Sequence, residues 1–349
     1  MSSIKEQLIA KNIIKDIFDY QGFDQDIVNT YTYFENKFKI LLSRYADAYN
    51  LGNCFFYIKN SYSCNAFASK IQNYNIISIT NAYPILMKDK FNEKFFSNII
   101  NIAFINKKSI SDAYTDLYAD PTFQFNNFML DCSIQYTFSH EFRHILQFNS
   151  SKISNDFNYS ENLDTRNFSI KNHAWEFDAD RMASYEVLKY VFSVHRKMKV
   201  KSDEKLICLI YIALSSMFIT KDLFYFDVMN QIDNKKYTIN KQDFYTKKYS
   251  HPHPLVRQYN ILEFFHDSIK EDFPNLDINI LELLNNVLGI SELYFDSLIP
   301  SQKGVYSYFE EFTNLSNEIN KYNGELYDYA IKDNSIKNLL ISSGINLED

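Results

Sequence analysis

The middle of the 349-residue chain reads His140-Glu141-Phe142-Arg143-His144. This stretch lies within residues 136–148, whose apolar periodicity predicts a helix. Residues four apart on a helix lie one above the other, about 6 Å apart along the axis, so both imidazoles share one face. Two imidazoles placed in this way can bind a single zinc ion. Glu141 lies about 100° around the helix, where its carboxylate can accept a proton from a metal-activated water.

A second predicted helix offers the further ligand that such a site needs. It contains Trp175-Glu176-Phe177-Asp178-Ala179-Asp180-Arg181-Met182-Ala183. Glu176 and Asp180 are again four apart, and a solvated acidic face is the alternative interpretation of this spacing. We expect Glu176 to complete a His₂Glu site and Asp180 to accept the second N–H of a ligating histidine. His173 lies one turn before Glu176. It is a candidate for a residue that supports a metal ligand, as Asp180 is, or for a substitute ligand.

Periodicity and composition together predict a mostly helical protein. There are only 6 glycines and 6 prolines, which argues against a turn-rich β-sandwich. Helical spacing is found over 4–48, 83–105, 131–149, 170–195, 205–219, 254–270 and 276–342. Asp131 or Ser133 is expected to cap the helix over 131–149, and Ser169 the helix over 170–195. Two short β-branched and aromatic runs, 55–58 and 76–80, predict strands, and the polar segment 150–168 predicts a loop.

The two helical motifs resemble those of the gluzincin peptidases. H-E-x-x-H at 140–144 followed by E-x-x-A-D-R-x-A at 176–183 is similar to the family of CAAX prenyl proteases, Oma-type and heat-shock membrane metalloproteases, and soluble minigluzincins. A weaker likeness, in general organisation and the shared zinc motif, is to the phage-exclusion type of bacterial zinc protease. The resemblance implies one Zn²⁺ per chain on His140, His144 and Glu176, with Glu141 as the catalytic general base.

An upstream element also resembles this family. It consists of Asn65-Ala66-Phe67-Ala68 and the following run Ile77-Ser78-Ile79-Thr80. In the family this element forms the edge of a small sheet, where an extended peptide substrate adds as a further strand. The resemblance therefore implies a substrate-binding edge strand made of Asn65, Ala66, Phe67, Ala68, Ile77 and Ile79. A buried hairpin strand is the alternative.

A downstream stretch resembles the family's Ser/Thr-His-Pro motif. It reads Ser250-His251-Pro252-His253-Pro254-Leu255-Val256-Arg257, with the arginine six positions after the first histidine. The resemblance implies that a side chain here stabilises the oxyanion of the reaction. Because the His-Pro pair is doubled, His251, His253 and Arg257 all remain candidates, and a loop that caps a helix is the alternative.

Periodicity and resemblance together imply a mostly α (α+β) fold. We expect a zincin-like catalytic core with a small antiparallel sheet beside an active-site helix, plus helical additions at both ends. The implied domains are an N-terminal helical segment (1–50), a zinc metallopeptidase core (51–270) with an insertion at about 91–130, and a C-terminal helical cap (271–349).

Charge and cysteine content narrow the classes of partner and location. The formal net charge of −7, without a basic cluster, argues against a nucleic-acid partner. Four cysteines without C-x-x-C spacing, and a start that does not read as a signal peptide, indicate a cytoplasmic protein. The most apolar run, 206–219, is shorter than the ~20 residues of a membrane span and predicts a buried core helix. The abundance of Asn, Ile, Lys, Phe and Tyr is typical of a low-GC bacterial gene or a mobile-element gene.

The sequence thus predicts a zinc-dependent endopeptidase acting on a protein or peptide substrate. The alternative is a zinc-binding regulatory or interaction protein that retains a latent or inactive peptidase site. The intact Glu141 favours the enzyme, because a purely structural zinc site needs no base and fills all four positions with protein ligands.

Overall fold

A computed structural model describes residues 4–91, 93–151, 157–160, 168–230, 238–304 and 308–342. The helices in this part of the chain are α1 (Ile4–Ala10), α2 (Gln25–Ala48), α3 (Ala82–Lys90), α4 (Glu93–Ala103), α5 (Lys108–Ala119), α6 (Phe125–Ser150), α7 (Ile170–Lys197), α8 (Asp203–Tyr225), α9 (Pro254–Asp272), α10 (Ile280–Leu298), α11 (Tyr308–Lys332) and α12 (Asn334–Ser342). The strands are β1 (Cys54–Lys59), β2 (Ala66–Ile71), β3 (Tyr74–Thr80) and β4 (Phe157–Ser160). The predicted mostly helical fold with a small sheet is confirmed at this level.

The predicted helices are present, but several predicted boundaries are wrong; in the segment 4–48, for example, residues 11–24 lie outside α1 and α2. The segment 83–105 forms two helices, α3 and α4, and Phe91 stacks on Phe96 across the break with ring centroids 5.4 Å apart. The apolar periodicity continues through the break, which is why the sequence reads as one helix. Helix α6 begins at Phe125, so Asp131 and Ser133 lie inside it and do not cap it. The predicted cap of α7 is confirmed, since the Ser169 side chain accepts a hydrogen bond from the Asn172 amide. Most of the predicted loop over 150–168 lies outside the described residues, and the prediction is wrong for 157–160, which form β4.

The sheet has the strand order β1-β3-β2-β4 and is mixed. Strand β1 runs parallel to β3, whereas β2 runs antiparallel to both β3 and β4. The prediction of an antiparallel sheet is therefore wrong for β1. All seven residues of β3, the strand between β1 and β2, are buried.

The predicted substrate-binding edge strand is wrong. Ile77 and Ile79 lie on β3, the strand between β1 and β2. Ala66, Phe67 and Ala68 lie on β2, which pairs with β3 along its whole length and with β4 from Phe67 onward. Asn65 precedes β2 and is bound to the last residue of β3, because its amide donates to the Thr80 hydroxyl. The edge that the sequence predicts to be open is occupied by residues 157–160, which follow α6.

The described chain divides into two compact units. One contains α1 to α3, the sheet, α6 from Glu141 onward, and α12; its apolar core includes Leu8, Ile13, Ile14, Tyr74 and Ile76. The other contains α4, α5, α6 as far as His140, and α7 to α11. Helix α8 lies at the centre of this second unit, where it packs against α5, α7 and α10.

Among the described residues, α8 alone has the length and composition of a membrane-crossing helix. However, 89% of its apolar window is buried inside the protein. Core helices of soluble proteins have the same properties, so the membrane indication is weak.

Candidate metal centre

Helix α6 brings the two histidines of the central motif together. It is continuous from Phe125 to Ser150, so His140 and His144 are one turn apart on the same face, as the spacing predicts. His140, Glu141 and His144 are all at most 1% exposed. Imidazoles removed from water in this way need partners for their ring nitrogens.

Helix α7 adds the carboxylate. The His140 Nε2 atom lies 3.5 Å from Glu176 Oε2. One potential ligand atom from each of His140, His144 and Glu176 lies within 4.8 Å of the other two. A tetrahedral ion with bonds of 2.0–2.1 Å separates its ligand atoms by about 3.3 Å. The buried cluster could therefore hold a metal ion after a small contraction, and its two nitrogens and one oxygen are a donor set that suits zinc.

The Nδ1 atom of each imidazole also faces a side-chain oxygen. The Nδ1 atom of His140 lies 3.1 Å from Asp180 Oδ1, and the Nδ1 atom of His144 lies 2.8 Å from Gln147 Oε1. An acceptor at Nδ1 favours the tautomer that is protonated there and leaves the Nε2 lone pair for a metal. Asp180 thus lies where the sequence places it. Gln147 was missed, although its position three residues after His144 on the same helix was a readable signal.

Arg257 bridges the two carboxylates of α7. Its Nε donates to Asp180 Oδ2 at 2.6 Å and its Nη2 to Asp180 Oδ1 at 2.7 Å. The same Nη2 lies 2.6 Å from Glu176 Oε2. Charge-assisted contacts of this kind fix both position and orientation. Arg257 therefore holds the candidate ligand Glu176 and its neighbour Asp180 in one arrangement.

The charges around the carboxylates keep them ionised. Burial by itself raises the pKa of Glu176, but Arg257 and the nearby His251 and His140 hold that pKa well below its usual range. Burial is likewise outweighed at Asp180, whose pKa is lowered by Arg257 and Lys221. A carboxylate must be deprotonated to bind a metal ion, so the environment of Glu176 suits a ligand.

The structure separates the two histidines of the His-Pro stretch. His251 lies at the cluster, with its Nε2 3.6 Å from Glu176 Oε1 and its Nδ1 2.9 Å from the Ser250 hydroxyl. His253 instead caps α9, because its Nδ1 accepts a hydrogen bond from the Leu255 amide. Its Nε2 lies 3.2 Å from the Tyr225 hydroxyl, and burial lowers its pKa to about 4. The helix-capping alternative thus describes His253.

His173 is close to the cluster but serves another contact. Its Nε2 donates to the Tyr249 carbonyl at 2.7 Å, and its Nδ1 accepts from the Tyr322 hydroxyl at 2.8 Å. Burial lowers its pKa to about 4, so the ring is neutral. Because both nitrogens are engaged, His173 joins α7 to α11 and is not a substitute ligand in this arrangement.

Two residues that the sequence did not indicate also reach Asp180. The Tyr136 hydroxyl donates to Asp180 Oδ1 at 2.7 Å, and Lys221 Nζ lies 3.6 Å from the same oxygen. Tyr136 is one turn before His140, so helical spacing could have suggested it. Lys221 gave no signal, because it reads as a polar boundary of the apolar run in α8.

The residues define a buried cluster of two histidines and a carboxylate that could bind a metal ion, with acceptors behind both imidazoles. Comparison with known proteins adds no name to this description: no family model, curated protein or solved structure matches the chain. Any assignment therefore depends on the chemistry of the site.

Proposed function

We propose that this chain is a zinc-dependent endopeptidase of the gluzincin type, which binds one zinc ion and hydrolyses a protein or peptide substrate in the bacterial cytoplasm. The observation that carries the proposal is the buried convergence of His140, His144 and Glu176, with Glu141 directly following the first ligand. A site that only binds metal does not require a glutamate in that position, whereas a hydrolytic site does.

The chain's own residues supply the rest of the chemistry. Zinc, when bound, polarises a carbonyl group and lowers the pKa of water. Glu141 accepts a proton from the attacking water at its carboxylate and passes it to the leaving amine. Asp180 and Gln147 keep the imidazoles of His140 and His144 oriented, as their distances from the two Nδ1 atoms allow.

Geometry favours His251 for stabilising the oxyanion. Arg257 uses its Nε and Nη2 on the two carboxylates of α7, and His253 caps α9. His251 lies beside Glu176 with its Nε2 toward the cluster, so a protonated Nε2 can donate to a carbonyl oxygen that gains negative charge.

The test is a comparison of wild type with Glu141→Gln, both loaded with zinc. Each protein is incubated with a peptide library made from a bacterial proteome, and new N-termini are identified by mass spectrometry. We expect cleavage by wild type and at least a 100-fold lower rate for Glu141→Gln, because the amide cannot act as the base. Zinc content is expected to be equal in the two proteins. Equal cleavage by the two proteins would contradict the assigned role of Glu141.

One observation favours the second candidate, a zinc-binding protein that does not cleave. Glu141 and the three candidate ligands are at most 1% exposed, whereas a working peptidase must admit an extended peptide. If wild type binds one zinc ion but produces no new N-termini, the second candidate is supported and the peptidase proposal fails.

A further inference from the structure

Lys221 is a buried cation on α8, between the buried polar residues Thr220 and Asp222. It is 8% exposed, and its neighbours Phe218, Ile219 and Leu223 have no exposed surface. Removing an ammonium group from water is costly unless a negative charge lies close to it. Lys221 therefore needs a fixed acidic partner.

The backbone around Lys221 is held on both sides. The residue before it, Thr220, forms a hydrogen bond between its hydroxyl and the Ser133 hydroxyl of α6 at 2.8 Å. The residue after it, Asp222, accepts a hydrogen bond from Gln258 of α9 at 2.7 Å. Because α8 is tied to α6 and α9 at these positions, the stem of Lys221 starts from a fixed point.

The ammonium group of Lys221 lies at the oxygen of Asp180 that faces His140. Its Nζ is 3.6 Å from Asp180 Oδ1, which is 3.1 Å from His140 Nδ1 and accepts the Tyr136 hydroxyl at 2.7 Å. Nζ also lies 5.8 Å from the centre of the Tyr136 ring. Lys221 and Tyr136 thus both contact the atom that orients His140.

Arg257 is shared between two carboxylates, because its guanidinium contacts both Asp180 and Glu176. Lys221 adds a second positive charge, and this charge lies at Asp180. Two cations at Asp180 offset the cost of burying its charge and favour the position that it has.

We propose that Lys221 is a positioning residue of the metal centre: it holds Asp180 against His140 Nδ1, so that Nε2 of His140 points toward the metal. This inference rests on the proposed metal site. It adds to that site a residue from α8, which belongs to neither helical motif.

The test uses Lys221→Met, which keeps the length of the stem and removes the charge. The affinity for zinc is measured by competition with a chromophoric chelator, and the visible absorption of the Co²⁺-substituted protein reports ligand geometry. We expect about 10-fold weaker zinc binding and an altered Co²⁺ spectrum, because Lys221 holds Asp180, and loss of a group such as Asp180 behind a ligand typically costs 10–100-fold in affinity. Lys221→Arg keeps the positive charge. Its affinity for zinc is expected to stay within about 3-fold of that of wild type.

The matched control is Lys205→Met, the same substitution on the same helix. Lys205 precedes Lys221 by about 24 Å along the helix axis and pairs with Asp116, so its loss is expected to leave affinity and spectrum unchanged. If Lys221→Met does not fold, the same measurements are made on Lys221→Gln, which also removes the charge, and weaker zinc binding is again expected. Tyr136→Phe, which removes a hydroxyl that donates to the same Asp180 Oδ1, is expected to weaken zinc binding in the same direction.

The outcomes separate this inference from the proposed function. A wild-type protein that binds neither zinc nor Co²⁺ contradicts the proposed function. A wild type that binds zinc, with wild-type affinity and spectrum in folded Lys221→Met, overturns only the role of Lys221. A lower melting temperature of Lys221→Met with unchanged metal binding also overturns it, because it shows a purely structural contribution.

Discussion

At the scale of single residues, the site depends on the planar fork of Arg257. Two of its nitrogens reach both oxygens of Asp180 and one oxygen of Glu176. A lysine ammonium is a point charge and does not reproduce this geometry. The sequence motif indicated Arg257 only as a candidate for oxyanion stabilisation, because a motif does not show which side chains an arginine contacts.

The substitution Arg257→Lys is therefore expected to weaken zinc binding by about 10-fold, in the range typical of groups that orient ligands. Chelator competition measures the effect. Arg196→Lys, at the exposed end of α7, is the control and is expected to keep wild-type affinity. Equal affinity of wild type and Arg257→Lys would show that Arg257 does not position Glu176.

At the scale of elements, α7, α9 and α11 are joined around Arg181. Its guanidinium lies 4.2 Å from the ring centre of Phe177, 5.1 Å from that of Phe264 and 5.5 Å from that of Tyr327. Its Nε donates to Asn260 Oδ1 at 2.8 Å. This arrangement fixes the helices that carry Glu176 and Arg257. None of these contacts is with Glu176 or Arg257 itself.

Arg181→Met is expected to lower the free energy of unfolding by about 1–3 kcal/mol, because it removes the cation–π contacts and a charged hydrogen bond. Zinc affinity is expected to change less than 2-fold. Urea unfolding and chelator competition measure the two effects. Lys189→Met is the control. Lys189 lies over the Tyr185 ring on the same helix but is half exposed, so the substitution is expected to lower the free energy of unfolding by less than about 0.5 kcal/mol. A large loss of zinc affinity in Arg181→Met would argue against the structural role.

The positions of two strands could be predicted from the sequence, whereas the pairing at the outer side of β2 could not. The runs 55–58 and 76–80 are strands, as their composition predicts. The outer neighbour of β2 was not predictable, because β4 comes from a polar segment after α6 and pairs Ser160 with Phe67. Pairing between segments so far apart in the chain leaves no local pattern. The resemblance suggested an open edge at β2, and β4 occupies it.

At the scale of the whole molecule, the candidate site draws on four helices. His140 and His144 come from α6, Glu176 and Asp180 from α7, and Arg257 from α9, while Lys221 comes from α8. The residues on α6 and α7 were predictable, because the spacing of four puts chemically matched side chains on one helix face. The contribution of α8 was not predictable from the sequence. Tertiary packing decides which buried helix lies next to the site.

The measurement that tests the central claim most directly is the zinc content of the purified protein. Wild type and Glu176→Ala are stripped with a chelator, reloaded with zinc, freed of excess metal and measured by elemental analysis, with circular dichroism to confirm folding. The account predicts one zinc ion per wild-type chain and less than about one fifth of that in Glu176→Ala, because the loss of one of three protein ligands leaves too weak a site. The absence of zinc from wild type, or an equal zinc content in folded Glu176→Ala, would contradict it.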